Sequence, residues 1–280
     1  MRKSVPILIS LACILVPPVS VAADAADVIE KVLELQEERR EGVDRYVVEQ
    51  KVMGQITTIV FERTTVTGPD GEPVETFQMV LPDSVMPSGE DAAVAREDFD
   101  DMAQESVHTI AEFGDSATLV GTESIDGNDA YHLVANDLNR VRDFGEGGTY
   151  TLQTINAWID TDKYVPLRLT MDGDLDTDGE ARPMTMEINN QDYRDVPGSN
   201  MYESYRQIMR MNGVMTDETK AQVEQARIQL EEFDQQLLEM PQSQRDMMMS
   251  MMGEQIEMMR KLAAGDGLEI ITEVVSITVE

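Results

Sequence analysis

Residues 149–173 read "TYTLQTINAWID", then "TDKY", then "VPLRLTMDG". In the last segment Val165, Leu167, Leu169 and Met171 alternate with Arg168, Thr170 and Asp172. Successive side chains of a strand point to opposite faces, so a period of two builds a strand with one dry side and one wet side. Antiparallel sheets accommodate that arrangement, whereas parallel sheets are buried on both faces. The chain must therefore build an antiparallel sheet and cover one face of it with something else.

The same pattern recurs on either side. "RYVVEQKVMGQITTIVFERTTV" is rich in β-branched residues and broken at Gly54, which predicts two strands; "GPDGEP" is a turn cluster and "VETFQMVL" a third strand. "SATLVGTESI", the turn "DGND" and "AYHLVAND" form a hairpin. "RPMTMEINNQDYRDV", with Met184, Met186 and Ile188 in alternation, "NMYESYRQIMRM" and "LEIITEVVSITVE" extend the series to about ten strands.

Four helices are expected among them. Residues 24–41 carry a stripe of Val28, Ile29, Val32 and Leu33, with Asp24 or Asp27 as cap and Gly42 as stop. The acidic segment 89–113 places Ala95, Phe99, Met102 and Ile110 on one broad side, closed by Gly114. Residues 216–264 read as a helical hairpin broken at Pro241. Its first arm has Val223, Ala226, Leu230, Phe233, Leu237 and Met240 at alternating three- and four-residue spacings, a narrow packing seam. Its second arm holds seven methionines in "RDMMMSMMGEQIEMMRK". At 100° per residue, Met247, Met248, Met249, Met251, Met252, Ile256, Met258, Met259, Leu262 and Ala263 fill an arc of about 200°, roughly twice the stripe a core helix needs. Methionine is unbranched and polarizable, so a surplus apolar face of this kind suits a soft lid over a greasy ligand. An ordinary, Met-rich core helix remains the plain alternative.

The N-terminus carries Arg2 and Lys3, an apolar run from Val5 to Val16, and Val21-Ala22-Ala23. This is the layout of a cleaved secretory signal, with a mature start at Asp24. A rival reading makes Cys13 a lipid attachment site, but Ser10 stands where a lipobox wants leucine and Ile14-Leu15-Val16 is apolar. No later run approaches the roughly 20 apolar residues of a membrane-spanning helix. The expected location is the periplasm, with residues 24–280 forming one domain.

With 54 acidic against 22 basic residues the net charge is −32, and only six of the bases are lysine. Such a surface excludes nucleic acid as a partner. It fits a solvated coat adapted to high external salt, where screening relieves self-repulsion.

Chemistry is not signalled. The two histidines, His108 and His132, lie in a helical and a strand segment, and no nucleophile elbow, zinc-binding helix or phosphate loop is present. No enzyme, catalytic residue, metal site or cofactor is expected. Asp174, Asp176, Asp178 and Gly179 follow the order of a calcium loop, yet Thr185 stands where the bidentate glutamate belongs and Pro183 intrudes. A long acidic hairpin turn is the simpler reading. Cu(I) would suit thioether ligands, but no His or Cys accompanies the methionines.

"LVGTESIDGNDAYHLVAND", "INAWIDTDKYVPLRLTMDGD" and "NQDYRDVPGSNMYESYR" together resemble the outer-membrane lipoprotein-sorting, or LolA-like, superfamily. The likeness rests on Gly121, Glu123, Gly127 and Tyr131, on Trp158, Ile159 and Asp160, and on Pro166, Leu167 and Arg168, within residues 115–210. It implies an α+β, mainly antiparallel fold: an unclosed, strongly curved β-barrel with helices on its concave side and an apolar cavity between them. The Met-rich hairpin then precedes the last strand. The implied function is non-enzymatic lipid or lipoprotein binding, with a lipid or acylated lipoprotein as partner. Candidate ligand-contacting residues are Met247, Met248, Met251, Met252, Ile256, Met258, Met259, Leu262 and Trp158. Two alternatives remain: an envelope sensor or interaction protein that holds a partner's apolar segment, and Cu(I) or Ca2+ binding by the methionines or the acidic loop.

Overall fold

The computed structural model describes residues 24–80, 103–104, 106–143, 148–177, 179–213 and 267–280, together with 225, 228, 233, 237, 240–242, 244 and 245. The first helix, α1 (Ala25–Arg39), starts at a reciprocal capping box: the Asp27 N–H donates to Asp24 Oδ1 at 2.9 Å, and Asp27 Oδ2 accepts from the Asp24 N–H. Both candidate caps therefore act together. Gly42, at φ +72°, follows the end of the helix.

Eleven strands follow among the described residues: β1 (Arg45–Val52), β2 (Gln55–Thr67), β3 (Pro73–Val80), β4 (Thr118–Ile125), β5 (Asn128–Ala135), β6 (Arg140–Asp143), β7 (Thr149–Asp160), β8 (Pro166–Thr177), β9 (Glu180–Asp195), β10 (Tyr202–Asn212) and β11 (Gly267–Val279). They form one antiparallel sheet in the order β3-β2-β1-β11-β10-β9-β8-β7-β5-β4, with β6 beside β7. Two hairpins turn on residue pairs with positive φ, Met53-Gly54 and Asp126-Gly127, the backbone that matches strand twist in two-residue loops.

The sheet is open, as expected, because β3 and β4 end the order without pairing each other. The expected strong curvature is corrected: the sheet is neither closed nor strongly curled. Alternation in the sequence sets which side chains share a face, whereas curl depends on twist and bulges. The ladder shifts at Glu49/Gln50, Leu119/Gly121, Leu152/Thr154 and Trp158/Ile159 each bend their own strand locally.

A second helix, α2, covers the described residues 103–104 and 106–116. The rest of the expected acidic helix lies outside the described residues. Gly114 does not stop it. A Cβ on Gly114 would sit 3.7 Å from Ile29 of α1, an ordinary van der Waals contact. The helix runs on to Ser116, whose hydroxyl donates to the Glu112 carbonyl at 2.6 Å. Arg140 Nη1 ties α2 to β6 through Thr109 Oγ1 at 2.8 Å and Glu112 at 3.3 Å.

The strands β8 and β9 are longer than the sequence suggested. Asp174 and Asp176 are paired in the ladder with Pro183 and Ala181. Gly173, inside β8, lies under the Tyr150 ring, which a Cβ would approach to 2.8 Å. Aromatic cover of a strand glycine restores packing that the missing side chain forfeits. Of the expected seam in the helical hairpin, Phe233 is half-buried and Leu237 buried, and a new helical turn follows Pro241. Among the described residues no helix is long and apolar enough to cross a membrane.

Candidate ligand cavity

The helices α1 and α2 lie over one face of the sheet and leave a cavity of about 620 Å³. That size falls within the roughly 300–1,000 Å³ of small-molecule sites. The stripe that the sequence of α1 displays supplies Ile29, Val32 and Leu33, and α2 supplies Ile110 and Phe113. The floor comes from residues of one strand parity: Leu133 of β5, Ala157 and Ile159 of β7, Leu169 of β8, Tyr46 and Val48 of β1. Leu33 and Ile110 remain 45% and 47% exposed, so apolar surface continues out to the rim.

The floor is not uniform. One apolar cluster gathers Val28, Leu133, Ala157 and Ile159 with Ile29, Val32 and Phe113 at its margin; another gathers Tyr46, Val48, Val196, Met201 and Ile277. Between them runs a polar strip of Asn190, Gln207, Thr272 and Gln50 across β9, β10, β11 and β1. Gln207 Nε2 donates to Asn190 Oδ1 at 3.0 Å, and Asn190 Nδ2 to the Pro166 carbonyl at 3.0 Å. These bonds satisfy part of the strip's amide capacity, which lowers the cost of burying it beneath a ligand.

Two arginines at the end of α1 also line the cavity. Arg40 Nη2 pairs with Glu203 Oε1 at 3.0 Å, with both side chains partly buried. Arg39 Nη2 donates to the Lys163 carbonyl at 2.7 Å, and its guanidinium lies 5.6 Å over the Tyr202 ring. Sequence reasoning passed over both. The signal was available: Arg39 is seven residues after Val32 and Arg40 seven after Leu33, two helical turns along the same face. Burial holds the Tyr46 phenol, deep in the second cluster, up to about 12; it remains a neutral donor.

Trp158 is not among the residues lining this cavity. It falls between Ala157 and Ile159, so strand alternation sends it to the opposite face. There it stacks on His132 and meets Glu123. That contact opens a polar ladder across seven strands. Arg168 lies 5.6 Å over the Trp158 ring and donates through Nε to Asn189 Oδ1 at 2.8 Å. Asn189 Nδ2 donates to Glu187 Oε1 at 2.6 Å; Arg210 bridges Glu187 at 3.1 Å and Glu269 at 2.8 Å. The other histidine, His108 on α2, has Nε2 3.2 Å from the Thr67 carbonyl.

The acidic segment whose order follows a calcium loop lies in the β8–β9 hairpin, the simpler of the two readings of its sequence. Thr185 Oγ1 donates to Asp172 at 2.7 Å, Gln153 Nε2 to Asp174 at 2.6 Å, and the Gly179 N–H to Asp176 at 2.8 Å. These three carboxylates are engaged one after another along β8 rather than converged on a point. Met247, Met248, Met251, Met252, Ile256, Met258, Met259 and Leu262 lie outside the described residues.

No protein-family model and no curated protein matches the sequence. Solved structures that resemble the fold at a distance include a DUF1329 family protein from Desulfovibrio piger, at 11% identity and TM-score 0.39, covering 91% of this chain and 92% of that one. A domain proposed for outer membrane lipoprotein sorting, from Vibrio parahaemolyticus, shows 12% identity and TM-score 0.36 over 90% and 93% of the two chains. The lipoprotein LppX of Mycobacterium tuberculosis shows 13% identity and TM-score 0.22 over 52% of this chain and 87% of that one. With scores this low, function has to be read from the residues around the cavity themselves.

Proposed function

We propose that this protein is a non-enzymatic carrier of the cell envelope that holds acyl chains, of a lipid or of an acylated lipoprotein, between α1, α2 and the sheet. The observation that carries this reading is the apolar cavity of about 620 Å³ with an apolar rim at Leu33 and Ile110. Apolar surface left open at a rim marks a place where something greasy enters or leaves. The resemblance of residues 115–210 to LolA-like proteins supports the same reading. The Met-rich arm, Met247 to Leu262, is the soft lid of the cavity in this scheme, because its apolar arc exceeds what the sheet alone can bury.

The protein acts in the periplasm as one domain spanning residues 24–280, after removal of residues 1–23. Asp24 is the N-cap of α1, so cleavage after Ala23 leaves the first helix intact with its cap. A mature mass beginning at Asp24 supports this, and diacylglycerol on Cys13 would replace it with a membrane anchor.

Native mass spectrometry of the protein from its own envelope tests the main reading. Co-purifying lipid is the expected result. Val32→Trp, which fills the cavity, and Met252→Asp, which puts charge on the lid, should both abolish uptake of a fluorescent acyl probe. Changing Met251, Met252 and Met259 together to leucine should keep the fold and narrow the range of chains accepted. A protein that carries no lipid and takes up no acyl probe is not a lipid carrier. A partner's apolar segment found in the cavity would make it an interaction protein.

A further inference from the structure

We infer that the ligand carries an anionic head group, a carboxylate or phosphate, and that Arg39 is the residue that receives it. This rests on the acyl-cavity reading above and narrows it to a ligand class.

The inference follows from which charges at the cavity are already neutralised. Arg40 is matched by Glu203 at 3.0 Å. The nearby Arg63 is matched by Glu75 at 2.9 Å and Asp44 at 3.8 Å. Arg39 has no carboxylate within ion-pair distance among the described residues, in a chain with 54 acidic groups. It meets a carbonyl oxygen and the face of Tyr202 instead. A guanidinium has five N–H donors in a planar fork, and the Lys163 carbonyl takes only one position of that fork. The ring contact and the carbonyl hold the group in place, which leaves the remainder preorganised for a two-oxygen acceptor.

Position agrees with this. Arg39 stands in the last turn of α1, two turns from Val32 and ten residues from Ile29, on the wall that the apolar stripe begins. A chain lying along the stripe brings its polar end to Arg39. A strongly acidic coat disfavours anions in general. A cation at the cavity wall with no carboxylate partner among the described residues admits one anion in one orientation.

Displacement of the neutral dye Nile red from the purified protein, at pH 8 in low salt, compares oleate with oleyl alcohol, which have the same chain and differ in head charge. Oleate should bind about tenfold or more tightly than the alcohol, the worth of a charge-assisted hydrogen-bonded pair. Arg39→Gln should remove that preference by weakening oleate far more than the alcohol, and Arg39→Lys should retain most of it. Lauryl phosphate against lauryl alcohol separates phosphate from carboxylate preference. Equal binding of oleate and oleyl alcohol by the unaltered protein overturns the inference and leaves the acyl cavity standing. Equal weakening of both probes by Arg39→Gln also overturns it, because the residue is then only structural. Binding of neither probe sinks the acyl-cavity reading itself.

Discussion

The indole of Trp158 and the imidazole of His132 are stacked, with ring centroids 4.4 Å apart and planes at 14°, and both meet the carboxylate of Glu123. Trp158 Nε1 donates to Oε2 at 3.0 Å, and His132 Nδ1 lies 2.9 Å from Oε1. Hydrogen bonds from Trp158 first and His132 second hold the Glu123 carboxyl below its ordinary value of 4.5. A carboxyl lowered in the folded state contributes stability that is present above the unfolded-state pKa and lost as pH falls through the folded one. Glu123→Gln should therefore melt below the parent at pH 7. The gap should close as pH drops below about 4, near the carboxylate range. Melting curves from pH 3 to 8 decide this, and a gap that persists at low pH would show that the ionised carboxylate is not the cause.

Gly173→Ala should destabilise the protein by about 1–3 kcal/mol, the usual cost of overpacking. The added Cβ would collide with the Thr151 carbonyl oxygen, which is backbone and cannot swing aside, and would press on the Tyr150 ring. Urea denaturation measures the change. A neutral result would mean that β7 and β8 separate at this point without cost.

Leu133 is fully buried beneath α1, packed with Val28, Ala157 and Ile159. Leu133→Ala should cost about 2–5 kcal/mol. By contrast Val120, on the edge strand β4 and 61% exposed, should tolerate alanine within about 0.5 kcal/mol. Comparable losses at both positions would contradict the assignment of the core to the helix-covered face.

Residues 24–280 carry −34, because Arg2 and Lys3 are the only charged residues before Asp24. Ion pairs such as Lys31–Glu34 at 2.7 Å and Arg45–Glu62 at 3.1 Å are exposed and contribute little. Net self-repulsion dominates, and salt screens it. The melting temperature should rise between dilute buffer and 1 M NaCl. A flat or falling trend would remove the argument for adaptation to high salt.

The hairpins were legible where a turn demands a particular backbone. Gly54 and Gly127 follow residues that also have positive φ, and few sequences other than X-Gly satisfy that geometry. Trp158 was legible too, since period two groups it with Asn156 and Thr154, away from Ala157 and Ile159; the W-I-D likeness drew it toward the ligand instead. The extension of β8 through Asp174 and Asp176 was not legible, because acidic residues favour turns locally. What keeps them in a strand is partners from elsewhere in the sheet, Gln153 and the β9 ladder. Gly114 does not end α2, because a glycine with ordinary helical backbone continues a helix that Ser116 then closes. The stripe of α1 announced one wall of the cavity, while the polar strip on its floor depends on the registers of four strands, which no local pattern encodes.

The strand order also governs when the protein can finish folding. β11, which follows every other described strand in the chain, inserts between β1 and β10. Until it arrives, the block β1–β3 and the block from β4 to β10 share no ladder. A ribosome that has released everything up to residue 266 has made two half-sheets with no strand to join them. Such a nascent chain resists premature completion, and the segment that carries β11 is the one that commits the sheet to its final form.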